Sequence, residues 1–315
     1  MYKLLVILGP TATGKTDVAL NLAKKFNGEL ISADSRQVYV GLDIGTGKTP
    51  SGISDDQIKI SKRKMYWEID GIRIWMYDVI DPKDQYNVSK FVKDAEKIIE
   101  DMYKRGKLPI VVGGTGLYIK ALADGLDNLS VPVDKKLRKE LENLTKKNLQ
   151  EKLQKINSQR WKGMNVSDRE NPRRLIRAIE LSDVSLKDVR LLRPRYDLLK
   201  IGLTSQREIL YKNANLRILQ RIDQGMIKES EKLLKEGVSA ERMKQLGLEY
   251  GVLADYLEGN ISQEELVPIL EGRIHGYIRR QLTFFKKERN IKWFDISDNF
   301  LPEVEKMVAK WYDPL

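Results

Sequence analysis

The segment Gly9-Pro10-Thr11-Ala12-Thr13-Gly14-Lys15-Thr16 limits what this chain can fold into more than any other stretch, because it spells G-x-x-x-x-G-K-[ST] between two different periodicities. Before it, Leu4 to Leu8 is an unbroken apolar run that reads as a buried strand. After it, Val18, Ala19, Leu22, Ala23 and Phe26 recur at helical spacing. A strand, a glycine loop and a helix in that order aim backbone N–H groups and a helix N-terminus at an anion. Residues Gly9 to Thr16 are therefore expected to cradle a di- or triphosphate. Lys15 would reach the terminal phosphates, and the Thr16 hydroxyl would hold Mg²⁺.

Composition removes several other chemistries. The chain has no cysteine and one histidine, His275, which excludes disulfides, thiolate zinc sites, cysteine nucleophiles and a Ser-His-Asp triad. His275 lies between Arg273 and Arg279 in a charged helical stretch and reads as a surface residue. No apolar run approaches the roughly 18 residues a membrane span needs. The first strand begins by about residue 4, which leaves no room for a signal peptide. A cytoplasmic soluble protein without a membrane partner is the expectation.

Further along, Glu29 to Ala33 reads as a second strand ending at Asp34, and residues 35–65 as loop with short turns. Tyr66 to Ile80 suggests one or two short strands. Val88 to Met102 carries an amphipathic helix, and Pro109 to Val112 is a third buried strand ending in Gly113-Gly114-Thr115. Strands alternating with helices predict a parallel sheet with ligands at its carboxyl ends, where Asp34 and Thr115 both fall. From about 125 to 195 the strand-like runs stop and charged helices take over, such as Asp134 to Asn157 and Pro172 to Leu181. Leu198 to Leu203 restores a strand. Helices are then expected at Asn215 to Lys235, Glu249 to Leu257 and, after a Ser-x-x-Glu capping box, Ser262 to Lys287. A last strand, Ile291 to Ile296, precedes a C-terminal helix. The fold class is α/β: a P-loop NTPase-like parallel sheet flanked by helices, with an inserted all-helical domain. Residues 1–124 and 196–315 form the core, and 125–195 the insertion.

The charge is concentrated. The net charge is +11, of which residues 134–200 contribute +9, from 19 basic and 10 acidic residues. A clustered basic field of this kind suits a polyanionic partner, most often nucleic acid.

Several segments together resemble the tRNA dimethylallyltransferase (tRNA isopentenyltransferase) family. They are Gly9 to Thr16, Ser32-Ala33-Asp34-Ser35-Arg36-Gln37-Val38-Tyr39, Asp43-Ile44-Gly45-Thr46-Gly47-Lys48 and Val112-Gly113-Gly114-Thr115-Gly116-Leu117-Tyr118. Asn171 to Glu180, Arg280-Gln281-Leu282-Thr283 and Lys292-Trp293-Phe294-Asp295 complete the set. With no cysteine for a zinc finger, the chain is similar to the bacterial type.

The resemblance implies transfer of a dimethylallyl group from its diphosphate to the exocyclic N6 amine of the adenosine 3′ of a tRNA anticodon. Lys15, the loop N–H groups and a Mg²⁺ on Thr16 would neutralise the leaving diphosphate. Asp34 is the family's candidate base for the adenine amine, and Thr115 its contact to the reacting centre. From the residues alone, Asp34 could instead act on Mg²⁺ through a water, and Thr115 could cap the following helix. The resemblance assigns Asp34, Ser35, Arg36 and Gln37 to the target nucleotide. It assigns Arg138, Arg173, Arg174, Arg177, Arg280 and Gln281 to the RNA face of an anticodon stem-loop. Where many relatives carry Gly-Tyr and a basic residue, this chain has Gly247-Leu248-Glu249, whose carboxylate would repel phosphate. A monomer is expected. The alternative reading is a small-molecule kinase, which would share the loop and the sheet but has no evident use for the basic insertion.

Overall fold

The computed structural model describes residues 2–49, 59–126, 129, 131, 133–182 and 196–312. The chain divides into two compact units, Met1–Asp124 with Pro194–Leu315 and, between them in sequence, Gly125–Arg193.

In the first unit the described residues form one eight-stranded sheet. Its strands are β1 (Tyr2–Leu8), β2 (Gly28–Ser32), β3 (Ile60–Arg63), β4 (Met65–Ile69), β5 (Ile72–Tyr77), β6 (Leu108–Gly113), β7 (Tyr196–Thr204) and β8 (Ile291–Asp295), in the order β3-β4-β5-β2-β6-β1-β7-β8. From β5 through β8 every pairing is parallel. Strands β1 and β6 are apolar along most of their length, and β2 is buried throughout with Glu29 paired to Arg105, as expected of a parallel sheet covered on both faces. The β3–β4–β5 end is an antiparallel edge on the expected parallel sheet. Short connections explain this: Asp70 and Gly71 alone join β4 to β5, too few residues for a crossover. Strand β3 lies within a segment expected to be loop; its exposed Ser61, Lys62 and Arg63 mark it as a polar edge.

Helices α1 (Lys15–Lys25), α2 (Val88–Lys104) and α3 (Gly116–Ala123) are the first three in the chain. The Asn87 side chain caps α2 by accepting from Lys90 N, and Phe91, Ala95, Ile98 and Met102 form its buried stripe. The helical unit supplies α4 (Lys135–Glu142), α5 (Lys146–Ile156), α6 (Ser158–Gly163), α7 (Val166–Arg169) and α8 (Pro172–Glu180). The first unit then resumes with α9 (Arg207–Asp223), α10 (Met226–Lys235), α11 (Ala240–Leu246), α12 (Leu248–Leu257), α13 (Gln263–Phe285) and α14 (Leu301–Tyr312).

Two expected helices are broken, each by its own chemistry. Asp134 to Asn157 splits because the Thr145 hydroxyl accepts from Asn148 N and starts α5 afresh. Asn215 to Lys235 splits at Gly225, whose φ of 99° ends α9 in a left-handed turn. The expected capping box is present: Ser262 and Glu265 bond reciprocally at the start of α13.

The first unit has two apolar clusters. One lies against the sheet, from Leu5, Leu22, Trp67 and Ile110 to Val304 of α14. The other joins α9, α12 and α13 through Leu210, Ile218, Leu253 and Ile278, and includes Ala12 of the glycine loop. In the helical unit Leu141, Leu149, Leu153, Leu175 and Ile179 form a separate core.

Sheet order places the site. Strands β2, β6 and β1 are neighbours and end level: Ser32 pairs Val112, and Leu8 pairs Gly113. At about 4.8 Å per strand, the loops after all three start within roughly 10 Å. Close approach leaves no room for side chains there. A Cβ on Gly113 would lie 2.3 Å from the Ala33 carbonyl oxygen, and one on Gly9 would lie 2.2 Å from that of Leu203.

Candidate active site

The phosphate loop folds as its sequence predicts. Gly14, at φ 69°, forms the N-cap of α1, so the helix's first N–H groups open toward the loop. The Thr13 hydroxyl donates to Pro10 O at 3.0 Å, and Lys15 Nζ donates to the same carbonyl at 2.5 Å and to Thr13 Oγ1 at 3.4 Å. Burial, then the nearby Arg217 charge, pushes the Lys15 amine down to about 7, with Asp34 pulling the other way.

Gln281 of α13 binds the loop from outside. Its Oε1 accepts from Thr11 N at 2.9 Å and its Nε2 donates to Gly114 O at 3.0 Å, so one buried amide ties the β1 loop to the β6 loop. This gives Gln281 an internal role beside its expected place at the RNA face. Arg280 is exposed and stacks its guanidinium over Tyr277 at 5.8 Å.

The cleft beside the loop has two lobes with about 540 and 550 Å³ of open space, sharing Thr11, Asp34, Thr46, Arg217, Arg221 and Tyr277. The phosphate-side lobe adds Lys15, Thr16, Gln37 and Gln281; the other adds Arg36 and Glu249. Asp34 therefore faces both. Its Oδ1 accepts from Arg36 N at 2.8 Å, which sets the turn after β2. Thr115 begins α3 but makes no side-chain cap; its hydroxyl accepts instead from Ser35 N at 3.1 Å, directly after Asp34. Gln37 accepts from the Ser32 hydroxyl at 2.6 Å and donates to Thr46 O and Gly47 O, both at 3.2 Å.

The loop carrying Thr46 and Gly47 is anchored by Lys48, which is fully buried. Its ammonium spends its donors on Tyr39 O at 2.8 Å, Asp43 Oδ1 at 2.8 Å and Asp78 Oδ1 at 2.5 Å. A buried charge is tolerable only with such pairing.

Arg217 and Arg221, which no sequence motif singles out, supply the cleft's positive wall. They stand one turn apart on α9, a spacing that puts both on one face. That i, i+4 pair beside the buried Ala214 and Ile218 was the available signal. Arg221 donates to Gly45 O at 2.9 Å and to Glu249 Oε1 at 3.1 Å, whereas Arg217 makes no hydrogen bond to any described residue. Burial, then the Arg221 charge, lowers Arg217 to about 10, so it remains cationic at neutral pH. An arginine half out of water with no partner is suited to an anionic ligand.

Glu249, expected to disturb an RNA contact, lies inside this cleft, 9% exposed in the first turn of α12 and paired with Arg221. Burial raises its pKa, and Arg221 opposes the rise. His275 is also not a free surface residue. It stacks on Tyr211 at 3.9 Å between ring centroids and bonds Asn215 Oδ1 at 2.8 Å.

The remaining predicted arginines belong to the helical unit. Arg138 grips Glu180 with two 2.8 Å bonds, and Arg177 adds a third at 3.1 Å. The Glu180 carboxylate is buried, so these two guanidinium groups complete the unit's own packing. Arg174 pairs with Asp168, and Arg173 is exposed without a hydrogen-bond or ion-pair partner among the described residues.

Among the described residues, no three His, Cys, Asp or Glu side chains converge as a metal cage, and no helix is long and apolar enough to cross a membrane.

A parallel α/β sheet with a phosphate loop after β1, a carboxylate after β2 and two arginines facing both defines a P-loop-type enzyme that handles a diphosphate-bearing substrate. Residues 37–288 match the IPP transferase family, and the chain belongs to it. It is 36% identical to a tRNA dimethylallyltransferase of Acetivibrio thermocellus over 98% of both chains. It is 37% identical to that of Pelotomaculum thermopropionicum, covering 94% of this chain and 91% of the relative. Among solved structures, the tRNA isopentenylpyrophosphate transferase of Bacillus halodurans superposes with a TM-score of 0.70 at 34% identity, covering 99% of this chain and 97% of the other. A eukaryotic dimethylallyltransferase acting on tRNA shares the fold at a TM-score of 0.79 and 23% identity, over 99% of this chain and 79% of its own. These relatives favour prenyl transfer over the kinase alternative.

Proposed function

We propose that the protein transfers the dimethylallyl group of dimethylallyl diphosphate to the N6 amine of the adenosine 3′-adjacent to a tRNA anticodon, releasing diphosphate. The observation that carries this reading is that Asp34 faces one cleft with the phosphate loop and the Arg217–Arg221 wall, in a chain of the IPP transferase family. Lys15, the loop N–H groups, Arg217 and Arg221 hold the diphosphate and take up the charge that grows as its bond to the allylic carbon breaks. The adenine nitrogen attacks that carbon and a new C–N bond forms. Asp34 accepts the proton the amine loses, because the amine lone pair is delocalised into the ring and deprotonation favours attack. Thr115 and Gln37 keep the Asp34 turn in place through Ser35 N and the 46–47 carbonyls.

Thr16 borders the phosphate-side lobe and offers a hard hydroxyl oxygen, fitting a Mg²⁺ that takes its other ligands from phosphate and water. Bound there, the ion would add charge neutralisation to the leaving group. The basic helical unit supplies the electrostatic attraction for an anticodon stem-loop, with Arg173 and Arg174 exposed on it. A cytoplasmic location suits such an acceptor.

The test is a mass-spectrometric assay with purified protein, Mg²⁺, dimethylallyl diphosphate and unmodified tRNA. A gain of one dimethylallyl group on the adenosine beside the anticodon is expected. Unchanged tRNA together with ATP-dependent phosphorylation of a small molecule would overturn the reading.

A further inference from the structure

A carboxylate outside the cleft holds one of its walls. Glu229, on α10, accepts from three successive backbone N–H groups: Asp43 at 2.9 Å and Ile44 at 2.8 Å on Oε2, and Gly45 at 3.0 Å on Oε1. Its Oε1 also accepts from the Tyr250 hydroxyl at 2.7 Å, and Tyr250 is 1% exposed. Consecutive N–H groups turned inward make a nest for an anion, and here a side chain of the same protein fills it.

The backbone just past those N–H groups forms part of the cleft. Gly45 O receives Arg221, and the Thr46 and Gly47 carbonyls receive Gln37. Thr46 borders both lobes beside Asp34, whereas neither Glu229 nor Tyr250 borders either. The loop has little freedom to shift without disturbing these partners. A Cβ on Gly45 would lie 2.6 Å from the Tyr250 oxygen, and one on Gly47 would lie 2.2 Å from Arg221 Nη2. Lys48 secures the far end of the segment on Asp43 and Asp78.

We propose that Glu229 is a positioning residue for the transfer reaction, with Tyr250 as its support: it fixes the 43–47 backbone so that Arg221, Gln37 and Asp34 meet both substrates in register. This rests on the function proposed above. Removing the carboxylate leaves three inward N–H groups without an acceptor, and the loop must move to find water. Misplacement on the order of 1 Å at a distance from the chemistry is enough to cost about 10²-fold in rate.

The experiment measures kcat and KM for full-length wild type, Glu229→Ala, Glu229→Gln, Glu229→Asp and Tyr250→Phe, alongside amide hydrogen exchange at residues 43–47. Glu229→Ala is expected to speed exchange there and to lower kcat by about 10²-fold, with KM for tRNA within about threefold of wild type. Glu229→Gln keeps the shape and one acceptor oxygen, so it should fold and lose about tenfold in kcat. The shorter but charged Glu229→Asp should recover part of what Ala loses, and Tyr250→Phe should cost less than Glu229→Gln. A purely structural role would lower the melting temperature while the folded variant kept its kcat. Unchanged exchange at 43–47 in Glu229→Gln and Glu229→Ala, or kcat within threefold of wild type despite faster exchange, overturns the proposal. Wild type that exchanges slowly at 43–47 but transfers nothing to tRNA would instead sink the proposed reaction.

Discussion

The lysine of the phosphate loop should take up a proton when the donor binds. In the folded protein burial and Arg217 lower the Lys15 amine to about 7, against 10.5 for an unperturbed lysine. A diphosphate beside it reverses the balance, since an opposite charge favours the ammonium. At pH 8 an amine with a pKa of about 7 is only about one-tenth protonated, so binding should draw in about 0.9 proton; at pH 6 it should draw in about 0.1. Calorimetric titration with dimethylallyl diphosphate, in buffers of different ionisation enthalpy, reads this number directly. Lys15→Arg serves as the reference, because a guanidinium stays charged and the ligand's own protons cancel in the difference. The same shift acts on folding. Between about pH 7 and 10.5 the unfolded chain binds more protons at Lys15 than the folded one does, so this group makes the free protein more stable as pH rises through that window. Bound diphosphate should reduce that slope. Equal proton uptake by wild type and Lys15→Arg at pH 8 would show that Lys15 is already charged in the empty cleft and would refute the reasoning.

Other residues yield sharper single measurements. Asp34→Asn should lower single-turnover transfer by about 10²- to 10⁴-fold with RNA affinity nearly unchanged, the scale of losing a general base; near-normal turnover would remove Asp34 from that role. Lys48→Met strands the Asp43 and Asp78 carboxylates and should cost about 3–5 kcal/mol in urea denaturation, as breaking a buried ion pair does. A loss under about 1 kcal/mol would mean that water reaches the pair. Arg173→Ala with Arg174→Ala should weaken tRNA binding and flatten the log K against log salt plot by about one to two units, roughly one per lost phosphate contact. An unchanged slope would place both side chains away from the RNA.

The elements nearest the phosphate loop were legible because each obeys a local rule. Leu4 to Leu8 has to be buried on both faces, glycine at position 14 permits a left-handed N-cap, and Ser262 with Glu265 marks a helix start. Legibility failed where a local signal was short or reversible. The helical period runs unbroken through Thr145 and Gly225, yet each ends or restarts a helix by its own hydrogen bond or dihedral angle. Edge strand β3 has no apolar alternation because its side chains are exposed. Nothing local separates Arg217 and Arg221 from a solvated helix face, and Glu249 reads in sequence as a repulsive substitution. Its burial and its pairing with Arg221 place a counter-charge inside the site.

From its sequence alone this chain is an α/β protein with an anion-binding loop, a carboxylate at the next strand end and a basic helical segment, because those properties depend on neighbours a few residues apart. Only the tertiary structure decides which distant groups share the cleft. The β2-β6-β1 order brings Asp34 and Thr115 beside the loop. The packing of α9 and α12 then adds Arg217, Arg221 and Glu249, from about two hundred residues downstream, and α10 holds the cleft's 43–47 wall through Glu229. Electrostatic stabilisation depends on distance in space and is indifferent to separation along the chain, so the i, i+4 spacing could mark Arg217 and Arg221 as a pair on one helix face but not show which loop they face.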